Sequence, residues 1–305
     1  SLVEAVELTG LFIDKGPVVQ VRESGGRVAV EDDEKAGVAW DGPLAVLVNR
    51  SSASATEIFA AAIQDYGRGL IVGEPTFGKG TVQNLIDLDR WPAKTGPQFG
   101  QVKLTIAQFF RVDGDTTQHA GVVPEIQFPV TVDATEFGES TFDNALPATH
   151  IAVAEHKNLG NFAPILPKLI ADHNARVAKD KEFSWWSQDV AQFRADREKK
   201  TISLNEAERS AERDADEAKK KARAAERKAL GLADARSDDD DGLQADERNV
   251  SQQVAAEEAR KKRNDPLLRE TAAILADAIT LLTGDPRLTA QVLPATHSAT
   301  NWSSD

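Results

Sequence analysis

The sequence predicts an α/β domain followed by a mostly helical one. Three observations carry this: a strand–helix–strand pattern over residues 44–73, β-rich runs punctuated by Gly and Pro to about Pro129, and charged helical stretches beyond Pro147. With 305 residues and 41% hydrophobic content, the chain is long enough to bury at least one sizeable core.

Taken in order, Val18–Arg22 and Arg27–Val30 flank Gly25-Gly26, a hairpin signal because glycine supplies the positive φ of a tight turn. Leu44–Val48 is a continuous apolar run, which predicts a central strand covered on both faces. Residues 54–66 are Ala-rich, with Ile58, Phe59, Ala62 and Ile63 at helical spacing and Gly67 at the stop. Leu70–Val72 closes a βαβ crossover. Val102, Leu104 and Ile106 alternate with Lys103, Thr105 and Ala107, the period of a half-exposed strand.

Residues 133–147 lose this patterning and read as a linker, so the expected division is 1–132, the linker, and a helical domain over 148–305. Within the latter, Ser203 and Glu206 have capping-box spacing ahead of a charged helix reaching Leu230, which reads as a solvated helix. Pro266 opens an amphipathic helix stopped by Gly284, expected to pack back on the body. Trp185-Trp186 reads as a core anchor, and Asp238–Asp241 as a solvated acidic loop lacking the spaced ligands of a calcium site.

Composition narrows function. Acidic residues outnumber basic ones 49 to 36, a net charge of −13, which argues against nucleic-acid binding. There are no cysteines and five unpaired histidines, so no metal or other cofactor is expected. No apolar run is long enough to span a membrane. The chain opens on Ser1 and contains no Met, which reads as a piece of a longer precursor or a chain written without modified Met positions.

Two features sit at the ends of the parallel strands. Asn49–Glu57 places serines 51, 52 and 54 between a buried strand and a helix start, where free N–H groups and positive potential gather ligands and nucleophiles. Gly73–Gly80 carries Lys79 between Gly78 and Gly80, close to Phe77. An ammonium held in such an apolar turn gives up its proton more readily, so Lys79 is a candidate base for a serine nucleophile. Against this, Ser54-Ala55-Thr56-Glu57 is also a capping box, in which the hydroxyl only satisfies an amide, and spacing does not say which serine caps. Gly73, Gly78 and Lys79 also meet most of the phosphate-loop pattern, but Gly80 replaces the Ser or Thr and residues 81–86 read as strand, which removes the helix a nucleotide needs.

Ser52–Ile58, Gln64–Arg68 and above all Gly73–Gln83 resemble the C-terminal processing peptidases, particularly the long tail-specific proteases of the Gram-negative periplasm. The resemblance implies a crotonase/ClpP-like α/β protease core, of which the chain has the C-terminal part, followed by a helical domain. It implies a Ser-Lys dyad in which the nucleophile precedes the lysine by 25 positions, selecting Ser54 and Lys79. It also implies Gln83 as a partner of Lys79, on the same strand face, and the Ala55 N–H as an oxyanion donor. Asp65 matches an activity-critical position, yet eleven helical residues span about 16 Å, so a supporting role is expected.

The family's Gly-rich oxyanion strand, its PDZ domain and its secretion signal would fall before Ser1, so this piece alone is expected to be inactive. The resemblance implies protein substrates with apolar C-terminal tails, a lipoprotein adaptor and a periplasmic location. Glu125 stands where the family has Asp, and His119 reads as a loop histidine rather than a base. The competing expectation is a non-catalytic protein-binding module in which Ser54 only caps its helix.

Overall fold

The computed structural model describes residues 1–90, 99–232 and 265–293. The Asp238–Asp241 run lies outside them. After helix α1 (Leu2–Gly10), strands β1 (Gly16–Glu23) and β2 (Val28–Asp33) form the hairpin expected around Gly25-Gly26. Strand β3 (Ala45–Val48), helix α2 (Ala55–Asp65) and strand β4 (Leu70–Gly73) form the crossover, with β3 and β4 parallel. Strands β5 (Thr81–Asp87) and β6 (Gln101–Phe110) are antiparallel, and β7 (Ile126–Gln127) is a short partner of β4.

Two sheets result, ordered β2-β1-β6-β5 and β3-β4-β7. Leu44–Val48 is therefore not central: β3 lies at an edge of the described three-stranded sheet, and Ala45, Val46 and Leu47 are only half-buried. Its apolar run reflects the helix packed on one face rather than cover on both.

The Ala-rich composition of α2 has a packing reason. One face, Ile58 and Ala62 continuing to Tyr66, packs with Val18, Val19, Phe109 and Ile13. The other, Ala60, Ala61 and Ile63, packs with Val48, Ile71 and Val122. Small side chains let the helix sit close to apolar residues on both sides, so it is held at fixed height relative to the strands that end beside its N-terminus.

Contacts divide the chain into two units, Ser1–Arg194 with Glu270–Asp305, and Ala195–Arg269. In the first, helices α3 (Leu166–Val177), α4 (Lys181–Glu198) and α6 (Pro266–Gly284) contribute to a small knot. His173 Nδ1 lies 2.8 Å from Glu270 Oε1, Arg176 forks onto the same carboxylate, and Phe128 stacks on the His173 ring at 5.3 Å. Trp185 is buried and Trp186 meets Phe128 and Phe183 edge-on. Helix α7 (Pro286–Val292) follows.

In the second unit, α5 (Glu206–Ala229) has no buried residue and carries ion pairs such as Arg209–Glu212 at 2.6 Å. Its N-cap is Asn205, whose side chain accepts the Ala207 and Glu208 N–H groups; Ser203 lies two residues too early and its hydroxyl pairs with Glu208 instead.

The stretch read as a linker is packed. Phe137 meets Phe77 edge-on at 5.3 Å, Phe142 lies 6.5 Å from it, and the Glu139 N–H donates to the Phe77 carbonyl. Composition does not reveal this because the two aromatic contacts and the Glu139 bond all converge on Phe77, about 60 positions upstream.

Candidate active site

The site is assembled where β3 and β4 both end beside the N-terminus of α2. The Phe77 N–H donates to the Ser52 carbonyl at 2.9 Å, joining the serine loop to the lysine turn. The serine loop is closed on Asn49: the Ser51 N–H donates to Asn49 Oδ1, and Ser52 Oγ accepts the Asn49 N–H. Neither caps the helix.

Ser54 is the N-cap, with φ 57° and ψ −111°, a left-handed region that costs a non-glycine residue of order 1–3 kcal/mol. Ser54 and Glu57 stand in the capping-box arrangement, but only half of it is bonded. The Ser54 N–H donates to Glu57 Oε2 at 2.7 Å, while the Glu57 N–H goes to the Ser54 carbonyl at 2.8 Å and the hydroxyl makes no capping bond. The hydroxyl is thus spared the role that would have made it structural. Ala55 opens the helix, so its N–H has no intrahelical acceptor.

Glu57 organises the rest. Fully buried, it accepts the Thr76 hydroxyl at 2.5 Å, the Gly78 N–H at 2.7 Å, the Lys79 N–H at 2.9 Å and the Ser54 N–H. Burial raises its pKa, opposed by those four donors. Its Oε2 serves both Ser54 and Lys79, so the two backbone nitrogens lie no farther apart than 2.7 and 2.9 Å laid end to end. Arg50, buried at the end of β3, reaches the Thr76 carbonyl from the other side. Gly78 has φ +92°, and a Cβ there would stand 2.7 Å from the His119 carbonyl, so the turn can carry no side chain at that point.

Lys79 is half-buried. Burial lowers its pKa, aided by the nearby Lys103 and opposed by Glu139 and Glu57. Its Nζ donates to the Thr81 carbonyl at 2.8 Å, and no hydrogen bond joins it to Ser54 Oγ or to Gln83 among the described residues. Gln83 lies on β5, exposed, with a long 3.5 Å contact to Thr105, and lines the same cavity as Lys79.

Asp65 is at the far end of α2. It forms a buried ion pair with Arg111, whose Nε approaches both its oxygens at 3.1 and 3.2 Å, and Arg111 also donates to Gln64. It touches neither Ser54 nor Lys79. Glu125 closes this distal network, accepting Gln64 Nε2 and the Ile71 N–H at 2.8 Å each. His119, at φ +69°, is spent on the Leu146 carbonyl. No described group of three or more His, Cys, Asp or Glu is placed to hold a metal ion. The lysine turn runs into a strand, without the helix a phosphate cradle requires.

Residues 1–128 match the family described as peptidase family S41, and residues 132–280 match the C-terminal domain of tail specific protease. Over its first 128 residues the chain is similar to peptidase family S41. The chain is 44% identical to the tail-specific protease of Haemophilus influenzae over 229 residues, covering 72% of the chain and 32% of that protein. It is 36% identical to a carboxy-terminal-processing protease of Bartonella bacilliformis over 124 residues, 40% of the chain and 27% of that protein. Among solved structures, a photosystem II D1 C-terminal processing protease matches 42% of the chain and 31% of its own length at 33% identity, with a TM-score of 0.36. The chain spans about a third or less of these relatives.

The sequence reading missed Glu57 as an organiser, together with Thr76 and Arg50. The capping-box spacing singles out Glu57 only as the partner of a helix cap. Nothing in the spacing linked it to residues 76–79.

Proposed function

We propose that the protein bearing this chain is a serine endopeptidase that cleaves proteins near their C-termini with Ser54 as nucleophile and Lys79 as base. The observation that carries the reading is the Glu57 carboxylate, whose shared oxygen brings the Ser54 and Lys79 amides together while leaving the Ser54 hydroxyl uncapped. Neutral Lys79, turned from the Thr81 carbonyl to Ser54 Oγ, takes the hydroxyl proton as Oγ attacks the scissile carbonyl. The Ala55 N–H receives the oxyanion, and the protonated Lys79 passes its proton to the leaving amine as the C–N bond breaks. Water, deprotonated by Lys79, then releases the acyl-enzyme. Gln83 holds the lysine from the cavity wall they share, and Asp65 supports α2 from its far end.

We assign residues 1–132 to the protease core and 148–305 to the helical domain. Substrates with apolar tails, a lipoprotein adaptor and a periplasmic location rest on the family resemblance; no described helix is long and apolar enough to cross a membrane.

The Lys79–Thr81 bond favours a competing reading, a non-catalytic binding module. A fluorophosphonate probe applied to the full-length protein separates them. Labelling lost in both Ser54→Ala and Lys79→Ala supports the protease; equal labelling of all three proteins removes the dyad.

A further inference from the structure

A cavity of about 390 Å³ opens beside Lys79. One wall is the β5–β6 face carrying Gln83; the other is Glu139, Phe142 and Leu146 from the stretch whose composition reads as a linker. The volume is many times the roughly 30 Å³ share of one water, enough for a leucine or phenylalanine side chain.

The apolar wall is exposed and yet fixed. Phe142 is 54% and Leu146 40% exposed, values that a collapsed loop would lower by burying them. They are held where they are instead. Phe142 packs on Phe77, two residues before the lysine, and its carbonyl accepts the Ala145 N–H at 3.1 Å. Buried Gln118 ties the wall to the lysine turn: its Oε1 accepts the Gly80 N–H at 2.8 Å and its Nε2 donates to the Leu146 carbonyl at 2.8 Å. A second bond from Gln108 Nε2 reaches the Pro147 carbonyl. Apolar surface anchored beside the amine of a base is pre-organised for a guest that the base must reach.

Charge narrows the guest. Glu139 is buried and engaged by Gln118, and Lys103 stands at the rim beside Lys79. A cationic side chain would find Glu139 already engaged by Gln118 and would face two amines, while an anionic one, drawn to those amines, would hold Lys79 protonated and unable to act as a base. Neither charged class gains a desolvated partner in the apolar part of the cavity.

We infer that Phe142 and Leu146 form the specificity wall of a subsite for a medium-to-large apolar substrate side chain flanking the scissile bond. The wall comes from residues matching the tail-specific protease C-terminal domain, not from those matching the S41 core, so that domain reads the substrate directly. The inference rests on the Ser54–Lys79 reading.

The test uses full-length protein and fluorogenic peptides differing only at the two residues flanking the cleaved bond, with Leu or Ala at each. Phe142→Ala and Leu146→Ala are expected to lower the Leu-to-Ala ratio of kcat/KM about 10-fold at one of the two positions. Leu146→Trp, which fills the space, is expected to invert the preference toward Ala. Ser54-dependent fluorophosphonate labelling in each variant reports that the protein is folded. Labelling retained with an unchanged ratio in all three variants overturns the subsite alone. Wild-type protein without Ser54-dependent labelling overturns the protease reading and the subsite with it.

Discussion

Glu57 receives the Lys79 backbone N–H at 2.9 Å, on the oxygen that also receives the Ser54 N–H at 2.7 Å. One buried carboxylate thereby fixes both ends of a 25-residue separation. Glu57→Ala would strand four donors, three of them backbone amides, at about 1–3 kcal/mol for each left unsatisfied. The expected loss is about 3 kcal/mol or more, with Tm down by roughly 6 °C or more and Ser54 labelling abolished. Thermal melts beside labelling check this, and an unchanged melt sinks it.

Burial, and after it the charges nearby, sets the pKa of Lys79, the proposed base. Because its pKa lies below 10.5, the deprotonated fraction, and with it kcat/KM, rises with pH on a limb centred below that value. Lys103 lowers the pKa and Glu139 raises it. Lys103→Gln is therefore expected to move the limb to higher pH, and Glu139→Gln to lower pH. A pH–rate profile of each variant decides; a shift of the opposite sign in either would show that another group controls the limb.

Asp65 sits at the end of α2 remote from Ser54, paired with Arg111. Asp65→Ala leaves the Arg111 guanidinium with only the longer Asp113 contact, 3.6 Å from its Nε, a cost approaching the roughly 3–5 kcal/mol of a broken buried pair, and activity is expected to fall through the fold rather than the chemistry. The double variant Asp65→Ala with Arg111→Met removes both charges. It is expected to recover Tm and a large part of the Ser54 labelling. A double variant that melts like wild type but is not labelled would give Asp65 a direct part in catalysis.

Arg50 bonds the Thr76 carbonyl, yet its buried Nε has no hydrogen-bond partner among the described residues. Arg50→Met deletes one tie between the serine loop and the lysine turn while relieving a buried charge. The two stability effects oppose, so Tm is expected within roughly 2 °C of wild type. Labelling is expected to fall about 10- to 100-fold, because small displacements between reacting groups are costly. Labelling equal to wild type would make Arg50 a packing residue only.

Much of this architecture was readable in advance for local reasons. The Gly25-Gly26 hairpin, α2 with its stop at Tyr66-Gly67, and the strand after Gly80 each follow from a few adjacent residues. The motifs at residues 52–58 and 73–83 mark the two segments that Glu57 joins, both halves of the candidate site. What escaped was long-range. The edge position of β3 depends on which strands pair, and the packing of residues 137–146 depends on Phe77. The Lys79–Thr81 bond likewise reflects a rotamer, which no spacing rule encodes.

The left-handed backbone of Ser54 has a wider consequence. Glycine would sit there with less strain, so stability alone would favour replacing the very residue that bears the hydroxyl. A glycine variant that melts later and cuts nothing would mark this position as one where selection for durability and selection for chemistry pull in opposite directions.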